Sequence, residues 1–236
     1  LAYLPRPDSK DPFFPVSPEV AALNGNYAKV PMITGDLEDE GTLFSQAQNN
    51  ITTTEQLVNY ILSSFPETSR AAVEAAVATY PDDMTQGSPF RTGILNSIYP
   101  QYKRLAAMLG DAVFNLRRRQ LLNIASSTVP MWSYLDSHLY GTPVLGTFHG
   151  SDLLSIFFGT PVGIQQKTYL DYYTSFINFL DPNALGNGLP LIGWPQYNTT
   201  KPTLLWLQTA HNTLLPDTYR SASYDALTGN VGAFRT

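Results

Sequence analysis

The chain has 236 residues, 43% hydrophobic and only 14% charged, with 14 Tyr and 12 Phe, which excludes intrinsic disorder and suffices for one large domain or two small ones. A net charge of −5 leaves no electrostatic footprint for nucleic acid or for charge-driven attachment to an anionic membrane. With no cysteine, this chain has no disulfide frame, no thiolate metal site and no Cys nucleophile.

Residues 5–27 are Pro-rich and irregular, with a short turn expected around Ser17–Leu23. Val30-Pro31-Met32-Ile33-Thr34-Gly35 is an apolar run ending in Gly, the pattern of a buried strand. An acidic segment, Asp36-Leu37-Glu38-Asp39-Glu40-Gly41, follows at its C-terminal end, where open α/β sheets gather ligands and catalytic groups. Thr53-Thr54-Glu55-Gln56 has the form of a capping box and opens a helix through Phe65. Ser69–Tyr80 reads as a second, Ala-rich helix, followed by a Gly/Pro/Ser loop over 82–93.

Tyr102, Leu105, Leu109, Val113 and Leu116 recur at helical spacing and predict one long amphipathic helix over 101–124. The cluster Arg117-Arg118-Arg119 reads as a solvated face of that helix. Val129–Leu135 alternates and is rich in aromatics, so it is expected to be a strand. Residues 140–151 form a Gly-rich loop, 152–158 a short helix or turn, and 165–180 a helix carrying Tyr169, Tyr172, Tyr173, Phe176 and Phe179. That aromatic stripe is expected mostly as core, with an acyl pocket wall as the alternative. Thr203–Gln208 is a late strand and Pro216–Leu227 a closing helix. This is an α/β pattern with too few strands for a complete doubly wound sheet.

Four carboxylates stand in the five positions 36–40. On composition alone they describe a solvated acidic loop; their place directly after a buried-strand pattern favours a site, without choosing among the four. His149 sits between Phe148 and Gly150 in a Gly-rich loop that can present a ring, so it is the candidate general base. His138 and His211 are expected to hydrogen-bond locally. Ser151 and Asp152, before an apolar run, are expected to cap the following helix. No metal-ligand spacing, phosphate loop or dinucleotide fingerprint occurs, and no G-x-S-x-G nucleophile elbow. Two sequons, Asn50-Ile51-Thr52 and Asn198-Thr199-Thr200, favour a secreted glycoprotein.

Gly35-Asp36-x-x-Asp39-Glu40-Gly41-Thr42, followed by Gly146-Thr147-Phe148-His149-Gly150 and then Phe158-Gly159, resembles the type-B carboxylesterase family, which includes the cholinesterases. Tyr3-Leu4-Pro5-Arg6-Pro7-Asp8, Gln86-Gly87-Ser88-Pro89-Phe90 and Leu145–His149 are similar to its fungal lipase and sterol esterase subgroup. The resemblance implies the C-terminal portion of an α/β-hydrolase fold, a mixed, mostly parallel sheet flanked by helices, with all of 1–236 forming part of a single domain. It implies Glu40 as triad acid and His149 as base. The nucleophilic Ser, the oxyanion hole and the lid are implied in an N-terminal portion outside this chain. That portion of the same enzyme is the expected partner; a homodimer is compatible, and no cofactor or metal is expected. Leu43 and Phe44 match the stretch after the acid that lines an acyl tunnel in the subgroup, with Ile61 expected to face it from the next helix; Asn50 matches the subgroup's sequon, with Asn198 as a second glycosylation site. The activity implied is a secreted lipase or sterol esterase acting at a lipid–water interface. A general carboxylesterase for small esters and a non-catalytic cholinesterase-like binding module are the alternatives.

Overall fold

The computed structural model describes residues 7–161, 163–186, 191–229 and 233–234; most of the Tyr3–Asp8 motif lies outside them. In chain order the elements are α1 (Pro18–Leu23), β1 (Met32–Leu37), α2 (Thr42–Ser45), α3 (Thr54–Ser64), α4 (Arg70–Ala78) and α5 (Tyr102–Gly110). A π-helical turn (Asp111–Asn115) then leads into α6 (Leu116–Ala125), β2 (Met131–Ser137), α7 (Ser151–Phe158), α8 (Ile164–Phe179), β3 (Thr203–Gln208), β4 (Asn212–Pro216) and α9 (Ser221–Thr228).

The strands form one sheet in the order β1-β2-β3-β4. The pairs β1–β2 and β2–β3 are parallel, and β3–β4 is an antiparallel hairpin. Every residue of β2 is buried, as a central parallel strand requires when both sheet faces are covered. Its alternation sorts the two faces. Met131 and Leu135 pack with Leu122 and Ala125 of α6, whereas Trp132 and Tyr134 pack with Tyr169 and Tyr172 of α8 and with Trp194. The α8 aromatic stripe is thus mainly core. A third cluster joins α3, α4, α5, the π turn and α9 around Leu57, Ile61, Leu105 and Leu116. The capping box at α3 forms as expected: the Thr53 side chain accepts from Gln56 N–H and the Gln56 side chain from Thr53 N–H.

Four expectations are corrected. The long helix over 101–124 is interrupted by the π turn, because Asp111 is held in place by Tyr80 Oη at 2.9 Å and by Arg220 at 2.7 and 2.6 Å. Arg118 and Arg119 are not solvated; their side chains are 2% and 5% exposed. Asp217, itself fully buried, accepts from both guanidinium groups at 3.0 Å, and Asp36 accepts from Arg118 Nε at 2.9 Å. The charge that α6 carries inward is therefore met by carboxylates from β1 and from the segment after β4. Pro216 ends an edge strand rather than opening a helix, and α9 begins five residues later, after Arg220 in the left-handed region. Gly150, at φ 79°, is the N-cap of α7, and no side chain caps that helix.

Candidate active site

β1 runs two residues further than its apolar pattern indicates, to Leu37, so the acidic turn starts at the very end of the strand. The backbone then folds back and Glu40 Oε1 accepts from Leu37 N–H at 2.9 Å. That contact orients the other oxygen: Glu40 Oε2 lies 2.6 Å from His149 Nδ1. A carboxylate can only accept, so Nδ1 carries the proton of the neutral ring and Nε2 keeps its lone pair. Among the described residues Nε2 has no hydrogen-bond partner. Glu40 is 4% exposed and the His149 side chain 43%, which buries the acid and opens the base to an incoming group. The hydrogen bond to Glu40 raises the His149 pKa above the ordinary imidazole value; desolvation opposes it, and the charges of Glu40, Asp152 and Asp36 add to it.

The other three carboxylates of the turn are engaged elsewhere. Asp36 faces Arg118 beneath the sheet, and burial pushes its pKa up to about 7 in spite of that partner. Glu38 makes a bidentate pair with Arg91, whose guanidinium lies over the rings of Tyr140 and Trp206. Asp39 turns toward the loops at 88–90 and 146–147.

Two residues that sequence reasoning passed over shape the site, both on the π turn. Phe114 packs on the His149 ring at 4.9 Å between centroids and stacks on Phe44 at 6.0 Å. Asn115 Nδ2 donates to Leu37 C=O at 3.2 Å, clamping the strand end that precedes the acid. The expected apolar residues separate. Phe44, on α2, lies 5.2 Å from the His149 ring. Leu43 is 43% exposed, whereas Ile61 is 0% exposed inside the helical core and has no surface with which to line a channel. Four residues past His149 begins an exposed apolar stripe on α7, where Phe157 and Phe158 are 73% and 74% exposed.

His138 is buried; its Nδ1 contacts Asp136 at 2.8 Å and its Nε2 lies 3.2 Å from Ser155 Oγ, the local bonding expected of it. His211 sits exposed in the β3–β4 turn. Asn50 and Asn198 are both exposed, and Asn198 Oδ1 accepts from Thr200 N–H at 2.8 Å. Among the described residues no cluster of His, Asp and Glu could hold a metal ion, and no helix is long and apolar enough to cross a membrane.

The fit of the acidic turn against α5 yields one expected result. A Cβ on Gly41 would stand 1.9 Å from Ala106 C=O and 2.7 Å from Gly110 N, both backbone atoms that cannot swing aside. Gly41→Ala should therefore push the turn off α5 and lower stability by about 1–3 kcal/mol, as overpacking does, read from the denaturant midpoint of the complete protein.

Comparison with known proteins gives a consistent set of relatives. No family model matches the chain. The secreted triacylglycerol lipase LIP1 of Gibberella zeae is 46% identical over 238 residues, covering 99% of this chain and 40% of that protein. Secreted lipase 1 of Botryotinia fuckeliana is 47% identical, covering 99% and 41%. Lipase 4 of Diutina rugosa is 39% identical, covering 99% and 42%. The chain thus spans about two fifths of the length of these curated relatives. Among solved structures, Aspergillus niger EstA superposes with a TM-score of 0.73 at 20% identity, covering 96% of this chain and 45% of that one. A PNB esterase superposes at 0.66 and 19% identity, covering 91% and 41%. These two likenesses bear on fold alone and identify the sheet and its helices as part of an α/β-hydrolase fold. Over 99% of its length the chain is thus similar to fungal lipases, matching about two fifths of each, and its sheet and helices have the architecture of part of an α/β-hydrolase fold.

Proposed function

We propose that this chain carries the acid and the base of a carboxylic ester hydrolase that acts on lipid esters, triacylglycerols or sterol esters, through a Ser–His–Glu acyl-enzyme. The observation behind the reading is the 2.6 Å contact between His149 Nδ1 and Glu40 Oε2, with Nε2 open to an incoming hydroxyl. The serine belongs to an N-terminal portion of the same enzyme, outside this chain. As its Oγ attacks the ester carbonyl, its proton passes to Nε2. Glu40 stabilises the imidazolium, which returns the proton to the leaving alcohol, and water repeats the sequence on the acyl-enzyme. No cofactor enters these steps.

Support for the lipid class comes from the apolar flank of His149: Phe44 and Phe114 against its ring, Leu43 beside Phe44, and the exposed stripe of α7. The names of the Gibberella and Botryotinia relatives agree, and those names together with the exposed sequons at Asn50 and Asn198 support an extracellular, glycosylated enzyme. β1 ends the sheet on one side and offers its outer edge to the N-terminal portion.

The reading is tested by kcat/KM for a series of 4-nitrophenyl esters with the complete enzyme, with a triacylglycerol and a sterol ester alongside. Each buried methylene of the acyl chain contributes up to about 0.8 kcal/mol, so long-chain esters should lead short ones until the apolar surface is filled. A profile that favours short, soluble esters would assign the chain to a general carboxylesterase instead.

A further inference from the structure

We propose that Asp39 is the positioning residue of this site: its carboxylate latches the histidine loop to the acidic turn and so sets the register of His149 on Glu40. The proposal rests on the reading of Glu40 and His149 as acid and base. Asp39 is 1% exposed and forms no ion pair among the described residues. Its two oxygens instead collect three donors from two separate loops. Oδ1 accepts from Ser88 Oγ–H at 2.7 Å and from Phe90 N–H at 3.0 Å. Oδ2 accepts from Thr147 N–H at 3.0 Å, while Asp39 N–H donates to Thr147 C=O at 3.0 Å. A parallel bridge pairs Asp39 with Phe148. The latch is therefore one residue from the acid on one side and two residues from the base on the other.

The loop is cut to fit this carboxylate. Gly146 sits at φ +60°, and a Cβ there would lie 2.1 Å from Asp39 Oδ2. The His149 ring is partly open to solvent, so packing alone does not enclose it; the hydrogen bonds two residues earlier hold its loop. A buried carboxylate that makes no ion pair is expensive unless it is fully hydrogen-bonded, and here the donors come from the 88–90 loop and from the loop that carries His149. Burial and the neighbouring Glu38 charge push Asp39 up to about 6, and its three donors pull it back, so at neutral pH it stays ionised and able to accept all three.

The test uses the complete enzyme with Asp39→Asn, Asp39→Ala and Ser88→Ala. The Asn amide keeps the volume but sets an N–H against either Thr147 N–H or the donors of the 88–90 loop, so one side of the latch opens. Loosening by about an ångström should lower kcat roughly tenfold to a hundredfold. KM for a short soluble ester should stay within about twofold, because the loss falls on the chemical step. A second readout separates positioning from general damage. Glu40, Asp152 and Asp36, which raise the His149 pKa, are untouched by these substitutions, and Ser88→Ala leaves the Asp39 charge in place as well. If the latch sets the Glu40 contact, the His149 titration, followed by its ring proton resonances and assigned with His149→Ala, should move to lower pH. The acid limb of kcat/KM should move with it. Ser88→Ala should shift both in the same direction by less. An unmoved titration in Asp39→Asn, or a fall in activity that only tracks the folded fraction, overturns the proposal. Activity that survives His149→Ala would overturn the acid–base reading, while the titration of His149 in Asp39→Asn would still decide the latch. Should Asp39→Ala fail to fold, Asp39→Asn and Ser88→Ala carry the decision.

Discussion

In the complete enzyme, His149→Ala is expected to lower kcat on the order of 10⁶-fold, because in the proposed mechanism this residue both takes and returns the proton. Glu40→Gln should lower kcat by up to about 10⁴-fold. The amide still fits between Leu37 N–H and the ring, but it no longer enforces the Nδ1–H tautomer or stabilises the imidazolium. The pH profile distinguishes the two roles. His149 must be neutral to accept a proton, and its pKa is raised in the folded protein, so activity should fall as pH drops through that raised value. Removing the Glu40 charge removes the main cause of the increase, and the residual activity of Glu40→Gln should persist to lower pH than that of the unmutated enzyme. Glu38→Gln should do far less, since Glu38 serves Arg91 and not the ring. Equal losses at positions 38 and 40 would reassign the acid.

The second large effect lies under the sheet. Arg118 is the centre of a buried network: it reaches Asp36 on β1, Ser133 on β2, Asp217 after β4 and the Tyr219 hydroxyl, the contacts ranging from 2.9 to 3.0 Å. Arg118→Met keeps much of the volume but leaves Asp36 without a cation and Asp217 with Arg119 alone. Breaking such a group should lower stability by about 3–5 kcal/mol, seen as a shift in the denaturant midpoint of the complete protein. Arg70→Met is the comparison. That side chain is 45% exposed and pairs with Glu55 and Glu74 on the surface, so its loss should amount to no more than about 1 kcal/mol. The network also predicts a pH dependence. Burial works against the charge on Asp217, yet Arg118 and Arg119 hold its pKa below the ordinary carboxylate value. Its contribution is therefore present above the pKa of an unfolded Asp and is lost as pH falls through the depressed folded value.

Local signals carried most of the fold. Thr53 and Gln56 mark the start of α3 because a capping box is written in adjacent residues, and Thr203–Gln208 is plain from its apolar run. β4 escaped because five residues of a hairpin edge, with a single buried position, leave no periodicity to read. The burial of Arg118 and Arg119 was illegible for a different reason: the partners of Arg118 are 82 and 99 positions away and that of Arg119 is 98 away, and charge alone does not say whether it faces water or another charge. At the site, the two short motifs were visible, and the family resemblance selected Glu40 among four carboxylates. Geometry then separated the neighbours, giving Asp36 to Arg118, Glu38 to Arg91 and Asp39 to the loops. Phe114 and Asn115 were hidden inside an apolar stripe whose spacing fits an unbroken helix equally well.

The π turn between α5 and α6 amounts to one residue more than a regular helix would hold. Each residue of a helix advances the direction of its side chains by 100°, so excising one would close the turn and swing everything beyond it to a new face. Upstream, Gly110 is pressed against the acidic turn; downstream, Arg118 is tied to three strands of the sheet or their extensions. Neither flank can rotate to absorb the change. The surplus residue is thus trapped between two fixed ends, and the segment that holds it also supplies the wall of His149 and the clamp of the strand before Glu40.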